Sequence, residues 1–493
     1  MEPQINGDSV QKTKEITSKP EEHALLRRIS KPTEINDGHE RKLSKFEVDD
    51  VEHGHGLTPD HSTNYVETMM HLFKGNIGSG LFSMGTAFKN AGILTGFITT
   101  IALGAICLHS QRLLIKCSMA MKERFGYEKT PDYAHTVELC FANGQPGVQR
   151  YAHTMRRTVD AFIILTQMGF CCIYFVFISA NLKQVIDGYG FVISTQMYMV
   201  IILIPIILTC LIRNLKYLVP FSTIATFCMA AGIIATAYYA CQDLPPLAER
   251  KNFATWKQLP MYFGTAIFCF EGIALVLPLQ NAMKDPHDFV RPLGVHNVGT
   301  IFVIMIFTVF GFIGYWSYGE DVAGSMTLNL PEHDILSQAV KLTISFGILL
   351  GYALQFYIPI DIMWPLIVKK YNIENGLVTK ELIFRSLMVI VTCEYEIDVN
   401  MINLNTISSI SIVAVAEAVP QIALLISFIG AFCSSALALM FPPLIELVLE
   451  FVDNKSPSKL LIIKDSFIIL VGFVGFLTGT YESVLAIINT FLE

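Results

Sequence analysis

Charged residues are scarce in this chain. Asp, Glu, Lys and Arg make up 16% of its 493 residues, whereas about 25% is usual for a soluble domain. Hydrophobic residues make up 52%, and the mean hydropathy is +0.49. This balance predicts an all-α polytopic membrane protein, in contact with membrane lipid over most of its length.

Short catalytic motifs are also missing. The sequence contains no GxSxG, no HExxH and no Gly-Lys pair, which excludes the hydrolase, zinc protease and phosphate-binding loop signatures. Most of the eleven cysteines lie within apolar runs, a pattern typical of buried thiols rather than disulfides or metal ligands. The sequence contains no polybasic stripe of the kind that indicates a nucleic-acid partner. We therefore predict a protein that is not an enzyme and has neither metal nor organic cofactor.

Apolar runs of the length needed to cross a membrane recur along the chain. Eleven are predicted, and the ninth is interrupted. They cover residues 66–91, 93–115, 158–181, 196–212, 217–240, 258–282, 293–318, 335–368, 381–420, 421–449 and 466–490. Lys and Arg concentrate in alternate connections, the longest of which joins spans 2 and 3 and is predicted to form an amphipathic surface helix. This asymmetry predicts a cytosolic N-terminus.

The first 64 residues are polar, with no apolar stretch typical of a signal peptide. Such a composition predicts a disordered cytosolic tail preceding a transporter core over residues 65–493. Within the tail, Glu21 precedes Leu25 and Leu26 in a pattern resembling acidic dileucine sorting signals, which adaptor proteins bind. The tail therefore predicts sorting between the plasma membrane and lysosomal or late endosomal membranes.

Span 9 is interrupted by a polar stretch that includes Glu394, Glu396 and Asp398. An acidic residue at the membrane centre costs about 2.5 to 3.5 kcal/mol on insertion scales. Joining residues 382–392 to 412–420 would restore one apolar span. We therefore interpret residues 393–411 as an aberrant insertion, from a retained intron or an incorrect gene model, rather than a natural loop.

Glycines interrupt the first span, in the stretch HLFKGNIGSGLF (71–82), and Glu271-Gly272 interrupts the sixth. Backbone groups freed by such breaks must face protein, water or ligand, because lipid cannot satisfy them. Breaks at matching positions in two halves of a chain indicate a five-plus-five inverted repeat with the substrate between the breaks. Freed N–H groups suit a carboxylate, and carbonyls with a nearby acid suit an ammonium group, so we predict amino acid substrates.

Several stretches resemble the proton-coupled amino acid transporter family of the amino acid and auxin permease group, within the amino acid-polyamine-organocation superfamily. They are HLFKGNIGSGLF, KNAG (89–92), QMGFCCIYFVF (167–177), GTAIFCFEGIALVLPLQNAMKDP (264–286), TLNLP (327–331), YALQFYIP (352–359), SSALALMFPP (434–443) and GFVGFLTGTYES (472–483). The resemblance implies eleven helices in a LeuT-like fold with broken helices 1 and 6. It also implies proton symport of small neutral amino acids at the plasma or lysosomal membrane.

The candidate site residues lie in spans 1, 6 and 8. His71, whose role is implied by the resemblance, and Glu271 are predicted to couple protons, the coupling ion. The predicted substrate-binding residues are Gly75, Asn76, Gly78, Ser79, Gly80, Phe270, Glu271, Gly272, Tyr352 and Gln355. Hydrogen bonding between helices is an equally good interpretation of Tyr352 and Gln355, and helix packing is the preferred one for Ser434 and Ser435.

Two alternatives stay open at this stage. A lysosomal amino acid sensor that signals with little flux would use the same binding residues. Sodium coupling would need hydroxyl and carbonyl oxygens, but residues 346–360 of span 8 contain no Ser or Thr, whereas histidine titrates near physiological pH.

Overall fold

The computed structural model describes residues 62–492, apart from residues 191–192, 214–218, 243, 374–375, 395–421 and 454–457. The dileucine residues Glu21, Leu25 and Leu26 lie outside the described residues. So does nearly all of the suspected insertion, of which only residues 393 and 394 are described.

Helices make up most of the described chain. The first half contains α1 (Tyr65–Asn76), α2 (Ser79–Ala91), α3 (Ile93–Phe125), α4 (Tyr133–Ala142), α5 (Ala152–Asp187), α6 (Thr195–Cys210) and α7 (Val219–Ala240). The second half contains α8 (Leu259–Cys269), α9 (Ile273–Ala282), α10 (Val295–Tyr318), α11 (Ile335–Tyr371), α12 (Leu377–Glu394), α13 (Ile422–Ile429), α14 (Phe441–Asp453) and α15 (Lys459–Leu492).

Eight helical segments of the described chain are long and apolar enough to cross a membrane. Each of the other three predicted spans also contains helix. Span 1 is divided between α1 and α2, span 4 is the 16-residue α6, and span 9 is described only as α12. The predicted all-α polytopic class, with interrupted spans 1 and 6, is confirmed.

The start of span 1 is defined by local chemistry. Asn64 accepts a hydrogen bond from the Glu67 backbone N–H, and the Glu67 carboxylate accepts one from the Asn64 backbone N–H, both at 2.9 Å. This capping box satisfies two N–H groups that the first turn of a helix leaves free. Helix α1 therefore begins at Tyr65.

The connection between spans 2 and 3 differs from the prediction of a surface helix. Helix α4 is buried against α3, α5 and α14, and eight of its ten residues are inaccessible. Its Glu138 carboxylate accepts a 2.7 Å hydrogen bond from Arg156 of α5. The arginines of this connection predicted an amphipathic helix on the cytosolic surface, but Arg156 pairs with a buried carboxylate instead.

We expect Glu138→Gln to lower the free energy of unfolding by about 1.5 to 3 kcal/mol, the usual value of a hydrogen bond to a charged group. Burial alone would raise the pKa of Glu138, but hydrogen bonds from two histidines and from Arg156 lower it to about 2. A lowered pKa stabilises the fold above the unfolded-state pKa, and that stabilisation is lost only as the pH falls towards 2. Thermal unfolding in detergent at pH 7 should therefore show a lower midpoint for the variant than for wild type.

The matched control is Glu128→Gln, which changes an exposed carboxylate of the same connection. It should shift the unfolding midpoint little. Equal midpoints for Glu138→Gln and wild type would show that the ion pair contributes nothing to stability.

Candidate functional site

The breaks in spans 1 and 6 lie side by side, and the two spans run antiparallel. The Thr63 backbone N–H donates to the Ala282 carbonyl at 2.8 Å. Further along, an added Cβ at Gly75 would lie 2.5 Å from Leu275 Cδ1, and one at Gly272 would lie 2.3 Å from Asn76 Oδ1. At the far end, the Cys269 thiol donates to the Gly80 carbonyl at 3.1 Å. Rising residue numbers in span 1 thus meet falling numbers in span 6.

Glycine is required where the two breaks touch. The space in front of the Gly272 Cα is occupied by the Asn76 side chain, which is itself held by a 2.8 Å hydrogen bond from its Nδ2 to the Leu72 carbonyl. A side chain at residue 272 would push the two half-helices apart. Because Gly272 has no side chain, the two breaks can pack in direct contact at this point.

A cavity of about 30 Å³ lies between the breaks. Its lining residues come from spans 1, 3, 6 and 8. They are Gly75, Asn76, Gly78, Ser79, Gly80, Phe170, Tyr174, Phe268, Cys269, Glu271 and Gln355. This volume holds one or two water molecules, so the cavity must widen before an amino acid can enter.

The ends of four half-helices meet at this cavity. Helix α2 begins at Ser79 after Gly78, and no side chain caps its first turn. The free N–H groups and the positive end of the helix dipole make this terminus attractive to an anion. Helix α8 ends at Cys269, so its last carbonyl groups and the negative end of its dipole lie at the break in span 6.

Glu271 supplies the charged group at the break in span 6. Its side chain is 5% exposed, and neither carboxylate oxygen has a hydrogen-bond partner in the part of the chain that the structure describes. An unpaired buried carboxylate is costly unless it is protonated or meets a cation. The site is therefore equipped to take up a proton or an ammonium group.

Most of the predicted binding residues line the cavity. In span 1 these are the three glycines Gly75, Gly78 and Gly80, with Asn76 and Ser79. Glu271 of span 6 and Gln355 of span 8 also line it. The structure thus brings seven of the predicted residues together.

Four predicted residues lie away from the cavity lining. His71 is exposed on α1, and Gly272 packs against Asn76. Phe270 packs edge to face on Phe307, with the ring centroids 5.6 Å apart.

Tyr352 is fully buried behind the cavity, and its hydroxyl shares a 2.6 Å hydrogen bond with Thr392 Oγ1. Tyr352 therefore makes a hydrogen bond between helices, which was the alternative interpretation of this residue.

Sequence reasoning missed the cavity's aromatic wall. Phe170 and Phe268 meet edge to face with ring centroids 4.7 Å apart, and the Tyr174 hydroxyl lies 3.1 Å from the position of an added Cβ at Gly78. These residues fall within stretches that supported the family resemblance, but an aromatic residue in an apolar span carries no local signal of its orientation.

All eleven cysteines lie within the described residues. Most are buried, and they include Cys269, whose thiol hydrogen bonds across the two breaks. The described residues contain no group of three His, Cys, Asp or Glu side chains placed to hold a metal ion.

Comparison with known proteins identifies relatives over most of the chain. The family described as "Transmembrane amino acid transporter protein" matches residues 61–485. The proton-coupled amino acid transporter-like protein pathetic of Drosophila melanogaster is 33% identical over 432 residues, covering 87% of each chain. Amino acid transporter ANT1 of Arabidopsis thaliana is 25% identical over 448 residues, covering 86% of this chain and 93% of its own.

Among solved structures, MhsT in complex with L-phenylalanine matches 88% of this chain and 99% of its own, with 13% identity and a TM-score of 0.44. The match to the family covers far more than half of the chain, and it agrees with the resemblance seen in the motifs. The chain therefore belongs to the transmembrane amino acid transporter family and is an integral membrane transporter rather than an enzyme.

Proposed function

We propose that this transporter is a symporter that couples protons to the movement of small neutral amino acids. The observation that carries the proposal is the buried Glu271 carboxyl group, which lies on the cavity between the breaks without a hydrogen-bond partner among the described residues. Such a group can be neutralised by a proton on one side of the membrane and can release it on the other.

The half-helix ends support a zwitterionic substrate. The uncapped N–H groups of Ser79 and Gly80 favour the substrate carboxylate, and the carbonyl end of α8 with Glu271 favours its ammonium group. Both groups of an α-amino acid are then satisfied without water.

The aromatic wall supports a small, uncharged side chain. Phe170, Phe268 and Tyr174 border the cavity, and no Lys or Arg is among the described residues that line it. A charged side chain would be desolvated there without a partner of its own other than Glu271.

His71 and Glu271 have different places in the proposed mechanism. Glu271 lies at the cavity, whereas His71 lies one turn before Gly75 on the outside of α1. A charge on His71 would therefore act on the position of α1 rather than on the substrate directly. Because Gly75 touches Leu275 of α9, movement of α1 is transmitted to both half-helices on the same side of the membrane.

We further propose that the protein works at the lysosomal, late endosomal or plasma membrane with its N-terminus in the cytosol. The alternating Lys and Arg content of the connections supports this orientation. The dileucine pattern at Glu21, Leu25 and Leu26 supports adaptor binding to the tail.

Uptake into sealed vesicles tests the proposed function. With radiolabelled glycine and L-alanine, wild-type uptake should rise as the external medium is acidified, and replacing sodium should leave it unchanged. Sodium-dependent uptake that ignores the pH gradient would contradict the proposal.

His71→Ala should abolish the acid stimulation while the protein still reaches its membrane. The physical reason is that alanine cannot carry the charge that repositions α1. Initial uptake rates at two external pH values, normalised to membrane abundance, provide the measurement. Full acid stimulation in this variant would leave Glu271 as the remaining proton site.

Gly78→Val should block uptake at every pH. An added Cβ already lies 3.1 Å from the Tyr174 hydroxyl, and the two methyl groups of valine would fill the rest of the cavity. The control is Gly147→Val, at a surface position where an added Cβ meets no atom within 4 Å. Wild-type uptake by Gly78→Val would show that the substrate binds elsewhere.

A further inference from the structure

Span 10 departs from α-helical geometry beside the candidate site. Between α13 and α14 the chain forms two π-helical turns, Gly430–Ser434 and Ala436–Met440, with Ser435 between them. Turns of this kind are rare and occur frequently at functional sites. A π-helical turn can also convert to α-helical geometry, and this conversion rotates the side chains of the segment about the helix axis.

The first π turn ends at Ser434, whose side chain adjoins the Glu271 carboxyl group. Ser434 is completely buried. Among the described residues, the Ser434 hydroxyl has no hydrogen-bond partner, and neither does either carboxyl oxygen of Glu271. Two adjacent, buried and unpaired polar groups both pay a desolvation cost, which a small movement could remove by pairing them.

Among the described residues, the other titratable groups near Glu271 are two thiols and a phenol, which are ordinarily uncharged at neutral pH. They are Cys107 of α3, Tyr133 of α4 and Cys433 of span 10, and all three are buried. The Tyr133 hydroxyl is already engaged, because it donates to the Leu437 carbonyl at 2.6 Å. Ser434 is therefore the hydroxyl donor that remains available to the carboxylate from span 10.

The π-helical segment is held at its two ends. At one end, Gly430 packs directly against the Gly264 backbone of α8. At the other, the Tyr133 hydrogen bond holds Leu437. Movement within the segment is thus confined to the residues between these anchors, where Ser434 lies.

We propose that Ser434 is a positioning residue for proton release, donating its hydroxyl hydrogen bond to Glu271 when span 10 rearranges. This inference rests on the proposed proton-coupled function. In the conformation described, the Glu271 carboxyl group lacks a donor, which favours its protonated form. When the Ser434 O–H turns onto a carboxylate oxygen, it stabilises the ionised form, and the acidic proton leaves to water on the cytosolic side while Ser434 keeps its own proton.

Ser434→Ala tests the inference, and Ser435→Ala is its matched control because the Ser435 hydroxyl bonds to the Ala431 carbonyl of its own helix. The full-length variants are reconstituted into lipid vesicles, and uptake of radiolabelled glycine is measured against external pH. Loss of a hydrogen bond to the carboxylate favours the protonated form at higher pH, so half-maximal uptake for Ser434→Ala should shift upward by about one pH unit. Ser435→Ala should keep the wild-type profile.

A merely structural role would lower uptake at every pH without moving the profile. Coinciding profiles for Ser434→Ala, Ser435→Ala and wild type, with wild-type uptake stimulated by acid, would overturn this inference and leave the proposed function intact. A flat wild-type profile would overturn both. If Ser434→Ala does not reach the vesicles in folded form, Ser434→Gly, which also removes the hydroxyl and adds no volume, decides the question by the same shift.

Discussion

Glu271→Gln is expected to reduce acid-stimulated uptake by roughly 5- to 150-fold, the range of a typical coupling free energy between two binding sites. Glutamine has nearly the shape of the protonated acid but cannot release a proton. The variant should therefore still bind substrate and exchange labelled for unlabelled amino acid across the vesicle membrane. Net uptake driven by the pH gradient should fall by this factor, because the coupling ion no longer leaves.

The substitution should leave the fold intact. The Glu271 carboxylate has no hydrogen-bond partner among the described residues, so no existing pair is broken. The control is Glu67→Gln, which changes an exposed carboxylate on α1 and retains a capping-box residue. Uptake and exchange are measured in the same vesicles. Full acid-stimulated uptake by Glu271→Gln would remove this residue from the proton pathway and direct attention to His71.

Gly430→Ala is expected to have the largest effect on stability, lowering the free energy of unfolding by about 3 kcal/mol. An added Cβ at residue 430 would fall on the carbonyl oxygen of Gly264. The obstacle is backbone on both sides, so no change of side-chain rotamer can relieve it. Span 10 and the first half of span 6 would have to separate, and the Glu271 site would separate with them.

Gly351→Ala is the matched control. Gly351 lies inside helix α11, and an added Cβ there meets no atom within 4 Å. Alanine in a helix interior is favoured over glycine by about 0.5 to 1 kcal/mol, so this variant should be as stable as wild type or slightly more stable. The measurement is the temperature at which the detergent-solubilised protein loses its monodisperse elution peak. An unchanged midpoint for Gly430→Ala would show that the close packing of spans 6 and 10 is not required.

Sequence reasoning located the breaks because their signal is local. Glycines 75, 78 and 80, and the acid-glycine pair at 271 and 272, stand out in apolar runs regardless of what packs around them. The cost of freed backbone groups in lipid then requires such breaks to be buried in protein or to face a cavity. Membrane class, the interrupted spans and most of the residues at the cavity follow from these facts alone.

Only the tertiary structure decided which side chains face the cavity. Each residue turns an α-helix by about 100 degrees, given 3.6 residues per turn, so an error of one residue moves a side chain to another face. For this reason His71 lies outside the cavity, Tyr352 lies behind it, and Phe170 and Tyr174 of span 3 form its wall. The π-helical turns of span 10 shift this register again and bring Ser434 beside Glu271. Sequence could predict only helix packing for Ser434, because its neighbour is 163 residues earlier in the chain and meets it only in the folded bundle.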